Sequence, residues 1–199
     1  NYMPCYDELT NIPFFIYDPR FKDVGGTRRK ALAQTIDIAP TILSFFGIPI
    51  PPSMRGSSLQ PIVETDTPIH DAVLYGYFGK HINVTDGRYT YMRSARDNSI
   101  LFEYTVMPTR LASLFTKNEL SLASLCTDLE YSNHLPVLKI PAHTGDVPSG
   151  THHQYDRHLE YGDLLFDLIL DPAQEHNIID QTELENTMAA LLRTLMLRH

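Results

Sequence analysis

Thr35-Ile36-Asp37-Ile38-Ala39-Pro40-Thr41-Ile42-Leu43-Ser44-Phe45-Phe46-Gly47 is the stretch whose reading settles most about the fold. Ile38, Ile42, Phe45 and Phe46 recur at helical spacing and mark one apolar face. Asp37 can cap the N-terminus. Pro40 fits only in a first turn, where backbone N–H groups lack intrahelical partners. Gly47 suits the position just past the end, and Pro49, Pro51 and Pro52 prevent continuation. Upstream, residues 12–17 (Ile-Pro-Phe-Phe-Ile-Tyr) form a short aromatic run closed by Asp18-Pro19, which predicts a buried strand. A strand covered on both faces belongs to a sheet with helices on it, so an α/β class follows. Such a sheet needs more strands than this segment contains. Residues 21–30 read as a polar loop, and Arg28, Arg29 and Lys30 within it as a solvated segment before the helix, with an anion site as the alternative.

Beyond about residue 70 the pattern changes. Residues 72–78 are strand-like, and 81–84 and 88–93 flank Asp86-Gly87, a strong hairpin signal. Residues 100–106, 136–140 and 164–170 are further strand candidates, and 111–130 is expected to be helical in part. The chain closes with an amphipathic helix over 182–197, with Leu184, Met188, Leu191, Leu192 and Leu195 on its apolar face and Thr182 as a cap. Two domains are therefore expected: 1–70, the end of an α/β domain, and 71–199, an antiparallel subdomain with the terminal helix.

Composition narrows the function classes. The net charge is −8, from 16 Lys+Arg against 24 Asp+Glu, and no basic stripe is present. Nucleic acid is an unsuitable partner for such a chain, because phosphate neutralisation supplies most of that affinity. No apolar run approaches the roughly 20 residues that span a bilayer. No charged-then-apolar leader follows Asn1, and the two cysteines, Cys5 and Cys126, lie far apart without metal-ligand spacing. These features tilt the expected compartment toward the cytoplasm without fixing it. The absence of an initiator Met suggests a start inside a longer polypeptide.

Several pieces, in this order, resemble the C-terminal half of the sulfatase branch of the alkaline phosphatase superfamily. Tyr6-Asp7-Glu8 followed by Ile12-Pro13-Phe14-Phe15-Ile16 is similar to the YDE…xPLxI strand after the active-site loop. Ile36-Asp37-Ile38-Ala39-Pro40-Thr41-Ile42-Leu43, then Gly47, resembles the xDxxPTLL…G helix. Arg55-Gly56-Ser57-Ser58-Leu59-Gln60-Pro61-Ile62 is close to GxSLxPLL. Asp86-Gly87-Arg88-Tyr89-Thr90-Tyr91 resembles a GRYKYI hairpin strand, and Leu165-Phe166-Asp167-Leu168 with Asp171-Pro172-Ala173-Gln174-Glu175-His176-Asn177 resembles LYDLxxDPxExxNL. Residues 1–93 and 164–199 carry the resemblance; 94–163 hold no motif of it. The run 76–91 is also similar to the subgroup that includes phosphonate monoester hydrolases.

The resemblance implies an edge piece of a large central sheet plus a small antiparallel sheet packed on a C-terminal helix. It also implies a parent that cleaves sulfate, phosphate or phosphonate esters with a formylglycine nucleophile and a Ca²⁺ or Mn²⁺ ion held by carboxylates. The C/S-x-P-x-R nucleophile motif and the Asp-His or Asp-Asn pair followed by Gly are not found in these 199 residues. The active-site Lys of the family is expected just before Asn1. Asp97-Asn98 lies past the hairpin and reads as a turn. No catalytic residue or metal ligand is therefore assigned here, and the N-terminal catalytic part of the same polypeptide is the implied partner, with a homo-oligomer left open.

Within the segment, Lys80, His81 and Asn83 are the candidate substrate-binding residues, since the family's C-terminal subdomains border the cleft; the plainer reading makes them hairpin surface. Tyr75, Tyr77, Tyr89, Tyr91 and Tyr104 follow from alternation on a sheet face. Ser57-Ser58 reads as a loop or cap. His143, His152, His153 and His158 invite a metal reading, but adjacent histidines do not readily share an ion. Two rivals to an inactive C-terminal fragment stand: an interaction module derived from this domain, and a metal hydrolase built on those histidines. An exposed apolar face at residues 12–17 would favour the fragment, and a covered one the module.

Overall fold

The computed structural model describes residues 4–95, 100–107, 109–110, 113–129, 132, 134–143 and 161–197. Two compact units form. The larger gathers Pro4–Gly76, Ile82–Arg93 and Asp163–His199; the smaller gathers Tyr77–His81 and Ser94–Gly162. The first described strand begins at Val73, and the strands of the larger unit share that unit with residues 4–70.

In the larger unit, α1 (Asp7–Thr10), α2 (Ile38–Phe45) and α3 (Gln60–Thr65) precede β1 (Val73–Gly76), β2 (Ile82–Thr85) and β3 (Tyr89–Arg93). Helix α2 forms where its punctuation predicts. Pro40 lies in the first turn, Gly47 takes φ 68°, and the N–H groups of Gly47 and Ile48 donate to the carbonyls of Ser44 and Leu43 at 3.0 and 2.9 Å, a Schellman closure. Asp37 does not cap α2 with its side chain. Its carboxylate is fully buried and accepts from the backbone N–H of Gln34 and of Ser57, both at 2.8 Å. The Thr41 hydroxyl donates to the Asp37 carbonyl at 2.6 Å and accepts from the Leu59 N–H at 2.9 Å. Loop 51–59 is thereby fastened to the start of α2. Gly56 passes so close that a Cβ there would overlap the Ile36 carbonyl. Arg29, expected in a solvated run, instead donates to the Val63 carbonyl at 2.7 Å, while Asp66 ends α3 in the left-handed region (φ 58°) and accepts from the N–H groups of Lys30 and Ala31.

The sheet of the larger unit runs β1-β2-β3-β7, with β7 at Leu164–Asp167, and every neighbour is antiparallel. Its register pairs Val84 with Tyr91 and Tyr91 with Leu165, so these three share a face. The C-terminal helix α5 (Thr182–Met196) packs Met188 and Leu192 on that face, making the core with Ala72. Each such fully buried aliphatic side chain contributes about 1.5–3 kcal/mol. The helix begins without side-chain capping; Thr182 is its first residue rather than its cap.

Residues 12–17 are not a strand. Phe15 is 89% exposed, and no strand of the described residues pairs with this stretch. The α2 stripe is likewise uncovered, with Phe46 69% exposed and Ile38, Ile42 and Phe45 exposed beside it. The physical reason is common to both. A doubly covered strand needs neighbours to satisfy its N–H and C=O groups, and an amphipathic stripe needs a surface to bury it.

The smaller unit has its own sheet, ordered β4-β6-β5 from β4 (Ile100–Thr105), β5 (Ser124–Cys126) and β6 (Val137–His143), with α4 (Lys117–Ser121) between β4 and β5. Helix α4 is the helical part of 111–130, and it opens on a capping box between Thr116 and Glu119. The charged hydrogen bond from Arg110, at 2.7 Å, holds the Glu119 carboxyl down to about 2, well below its ordinary 4.5.

Two outcomes follow from these contacts. Gly56→Ala should destabilise the larger unit by about 1–3 kcal/mol, read as a lower urea midpoint at unchanged slope; an unchanged midpoint contradicts the close approach. Glu119 has a depressed folded pKa, so its stabilisation is fully present above about pH 4.5 and fades as pH falls toward about 2. Acid titration of the fold should lose that component in Glu119→Gln, and identical acid profiles would refute it.

Candidate functional site

The sheet face opposite α5 carries Tyr75, Asn83, Thr90, Met92 and Phe166, by the same alternation that puts Val84, Tyr91 and Leu165 on the helix side. Residues 4–10 lie against this face, where the Tyr6 and Phe166 rings meet edge-on at 5.9 Å. Cys5 is buried, and burial pushes its thiol up, partly offset by contact with the Asn83 side chain. Asn83 is fully buried, and neither its amide nitrogen nor its oxygen makes a well-formed hydrogen bond. Burial drives Tyr75 up to about 12, with the Thr90 and Thr10 hydroxyls as hydrogen-bonding neighbours.

The turn after β7 closes this layer. Asp167 accepts from the N–H groups of Ile169 and Leu170 and binds the Arg88 guanidinium at 2.9 Å, which holds its carboxyl below the usual range. Asp171 accepts from the N–H groups of Glu175 and His176. The Asn177 oxygen accepts from Leu165 and Ile179. These are the polar residues of the LYDLxxDPxExxNL-like motif, and each organises backbone. Between them Gln174 is buried at φ 53°, a left-handed conformation that is costly for a side chain with a Cβ. Its oxygen accepts the Asp7 N–H at 2.6 Å, tying α1 to the turn, while its nitrogen has no partner among the described residues.

The three candidate residues fall in different places. Lys80 and His81 belong to the smaller unit and Asn83 to the larger. All three are buried, Lys80 at 6% exposure and the others at zero, so the hairpin-surface reading does not describe them. The His81 ring nitrogen Nε2 sits 2.8 Å from the Gly162 carbonyl, and Gly79 (φ 70°) makes the turn that leads into Lys80. Asp97-Asn98, His152, His153 and His158 lie outside the described residues, as does the side chain of His143.

One further pair is not legible from sequence spacing. His70 Nε2 lies 2.9 and 3.0 Å from the two Asp37 oxygens. The carboxylate is already engaged by two backbone N–H groups, so the pair locks the loop rather than activating a nucleophile. The co-occurrence of the Asp37-x-x-Pro40-Thr41 and Gly56-x-Ser58-Leu59 motifs was the signal that could have joined these segments. Among the described residues no group of three His, Cys, Asp or Glu side chains is placed to hold a metal ion, and Cys5 is buried, which raises its thiol pKa and disfavours the reactive thiolate. The described residues thus do not fit the Ca²⁺ or Mn²⁺ centre that the resemblance implies.

The family model described as "N-sulphoglucosamine sulphohydrolase, C-terminal" matches residues 2–131. The chain belongs to this family of sulfatase C-terminal domains. Among curated proteins, the N-acetylglucosamine-6-O-sulfatase of Bacteroides thetaiotaomicron is 34% identical over 77 residues, covering 37% of this chain and 14% of the relative. The arylsulfatase of Clostridium perfringens is 31% identical over 121 residues, covering 57% and 25%. The ulvan-active sulfatase of Formosa agariphila is 26% identical over 125 residues, covering 58% and 24%. The chain thus spans at most a quarter of the length of these relatives. The antiparallel sheet on a terminal helix is the architecture expected of a sulfatase C-terminal part, and no described helix is long and apolar enough to cross a membrane.

The sulfatase C-terminal layer around Asn83 makes a direct prediction. An amide with no well-formed hydrogen bond among the described residues costs free energy in a buried site, so Asn83→Leu, of similar volume, should keep or raise stability by about 1 kcal/mol. Thermal unfolding measures this, and a loss of more than about 1 kcal/mol would show that the amide is satisfied.

Proposed function

We propose that this chain is the C-terminal scaffold of a sulfuric ester hydrolase and that an N-terminal catalytic part of the same polypeptide supplies the nucleophile and the metal ligands. On this reading the chain alone turns over no ester. The observation that carries it is the uncovered apolar surface of the larger unit: residues 12–17 and the α2 stripe expose Phe14, Phe15, Tyr17, Ile42, Phe45 and Phe46. Monomeric proteins seldom leave so much large apolar side chain in water, and such surfaces mark an interface. The same exposure disfavours the free-standing interaction module, whose face would be covered. On this reading the Ca²⁺ or Mn²⁺ ion and the formylglycine belong to the N-terminal part. Lys80 and His81 then steady the turn of the smaller unit from buried positions, and Asn83 fills the layer under residues 4–10 in the larger.

The relatives' names support a sulfated sugar as the substrate class: N-acetylglucosamine 6-O-sulfate and a hexuronate 2-O-sulfate appear among them. The isolated chain, assayed with an aryl sulfate and an aryl phosphonate in the presence of Ca²⁺ or Mn²⁺, should release nothing above background. Turnover by these 199 residues alone would overturn the proposal.

A further inference from the structure

Residues 4–10 form a strap over the sheet face opposite α5, and the strap is braced from within. The Tyr6 N–H donates to the Pro4 carbonyl at 2.8 Å, the Leu9 N–H to Tyr6 at 2.9 Å and the Asn11 N–H to Asp7 at 2.8 Å. The Thr10 hydroxyl donates to the Tyr6 carbonyl at 3.2 Å. Toward the layer beneath, the Asp7 N–H donates to Gln174 Oε1, and the Thr10 hydroxyl neighbours that of Tyr75. Apolar cover is small. Cys5 is buried and the Tyr6 ring meets Phe166, but Glu8 and Leu9 are exposed. Closing the strap is costly for the groups under it. Asn83 is sealed from water with neither amide atom well bonded. Gln174 reaches Asp7 from a left-handed backbone (φ 53°), and its nitrogen has no partner among the described residues.

We infer that residues 4–10 open and close as a unit over a sheet that stays folded, with the Gln174–Asp7 hydrogen bond as the latch, and that opening delivers the Cys5 thiol to solvent. Local opening draws on segments with little buried apolar surface, and this one also lies on polar groups that closure leaves unsatisfied. Water that reaches the Asn83 and Gln174 amides when the strap lifts restores their hydrogen bonds. The sheet does not depend on the strap, because α5 holds it from the other face through Met188 and Leu192. Downstream the strap runs into residues 12–17, whose large side chains are already in water, so lifting it drags nothing buried along. Asn83 and Gln174 thus act in opposite senses: the first opposes closure and the second secures it. The opening is independent of any ester-hydrolase activity, since no catalytic group takes part.

Cys5 reports the opening. The whole chain is treated with excess iodoacetamide at several urea concentrations below its unfolding transition, and peptide mass spectrometry follows Cys5 apart from Cys126. Hydrogen exchange of the β3 amides in the same solutions gives the opening of the sheet itself. Cys5 is expected to open about a hundredfold more often than β3, or more. Its labelling should also depend less steeply on urea, because little surface is exposed. Gln174→Gly keeps the left-handed turn and removes the latch, so it should speed labelling about fivefold; Asn83→Leu removes the opposing amide and should slow it about fivefold. Circular dichroism and melting verify that each variant is folded, and Asn83→Leu carries the test if Gln174→Gly does not fold. Labelling that tracks β3 exchange with the same urea slope would overturn the inference, as would rates that neither variant moves. Labelling as fast as that of an unfolded cysteine peptide would overturn it too, since no closed strap would then exist.

Discussion

The buried Asp37 carboxylate is the constraint on which the N-terminal half of the larger unit depends. One side chain meets the N–H of Gln34, the N–H of Ser57 and the His70 ring, and so joins the chain before α2, the loop after it and the approach to β1. The Gln34 side chain extends the link by donating to the Leu74 carbonyl in β1 at 2.7 Å. Each of the two part-buried backbone N–H groups would lose its acceptor if the carboxylate were removed, at up to about 1 kcal/mol apiece. Because α2 is set by this anchor and by its own Schellman closure, it can form with its apolar stripe facing outward. The stripe is therefore exposed on a helix that is itself well formed.

A second set of anchors does the same work at the other end of the chain. Asp167, Asp171 and Asn177 spend their oxygens on backbone N–H groups, and Gln174 accepts a left-handed conformation to reach Asp7. The first residue of α1 is therefore fixed by a residue 167 positions away. The most recognisable parts of the sequence prove to be the fasteners of the scaffold, and this division between fastening and chemistry fits a C-terminal part of a sulfatase.

Legibility in the sequence followed the range of the interaction. Elements specified locally were readable: α2 from its apolar spacing, Pro40 and Gly47; the β2–β3 hairpin from Asp86-Gly87; and α5 from its leucines. The strand expected at residues 12–17 was read from a sound rule, but that rule presumes neighbours that the described residues do not provide. Asp37 was read as a cap because capping is local, whereas its partners Ser57 and His70 are 20 and 33 residues on. Arg29 was read as solvated because its acceptor, the end of α3, could be placed only in three dimensions. Lys80, His81 and Asn83 were found as chemistry-bearing types at a turn, but their burial, and the assignment of neighbours in sequence to different compact units, could not be seen from spacing.

The central claim is that the apolar surface around residues 12–17 and α2 is completed by a preceding part of the same polypeptide. Hydrogen–deuterium exchange of the chain, alone and mixed with that preceding part expressed separately, measures this at the amides concerned. The account requires fast exchange at residues 12–17 in the chain alone and strong protection there, as well as along α2, in the mixture. Exchange already slow in the isolated chain, or unchanged on mixing, would contradict it.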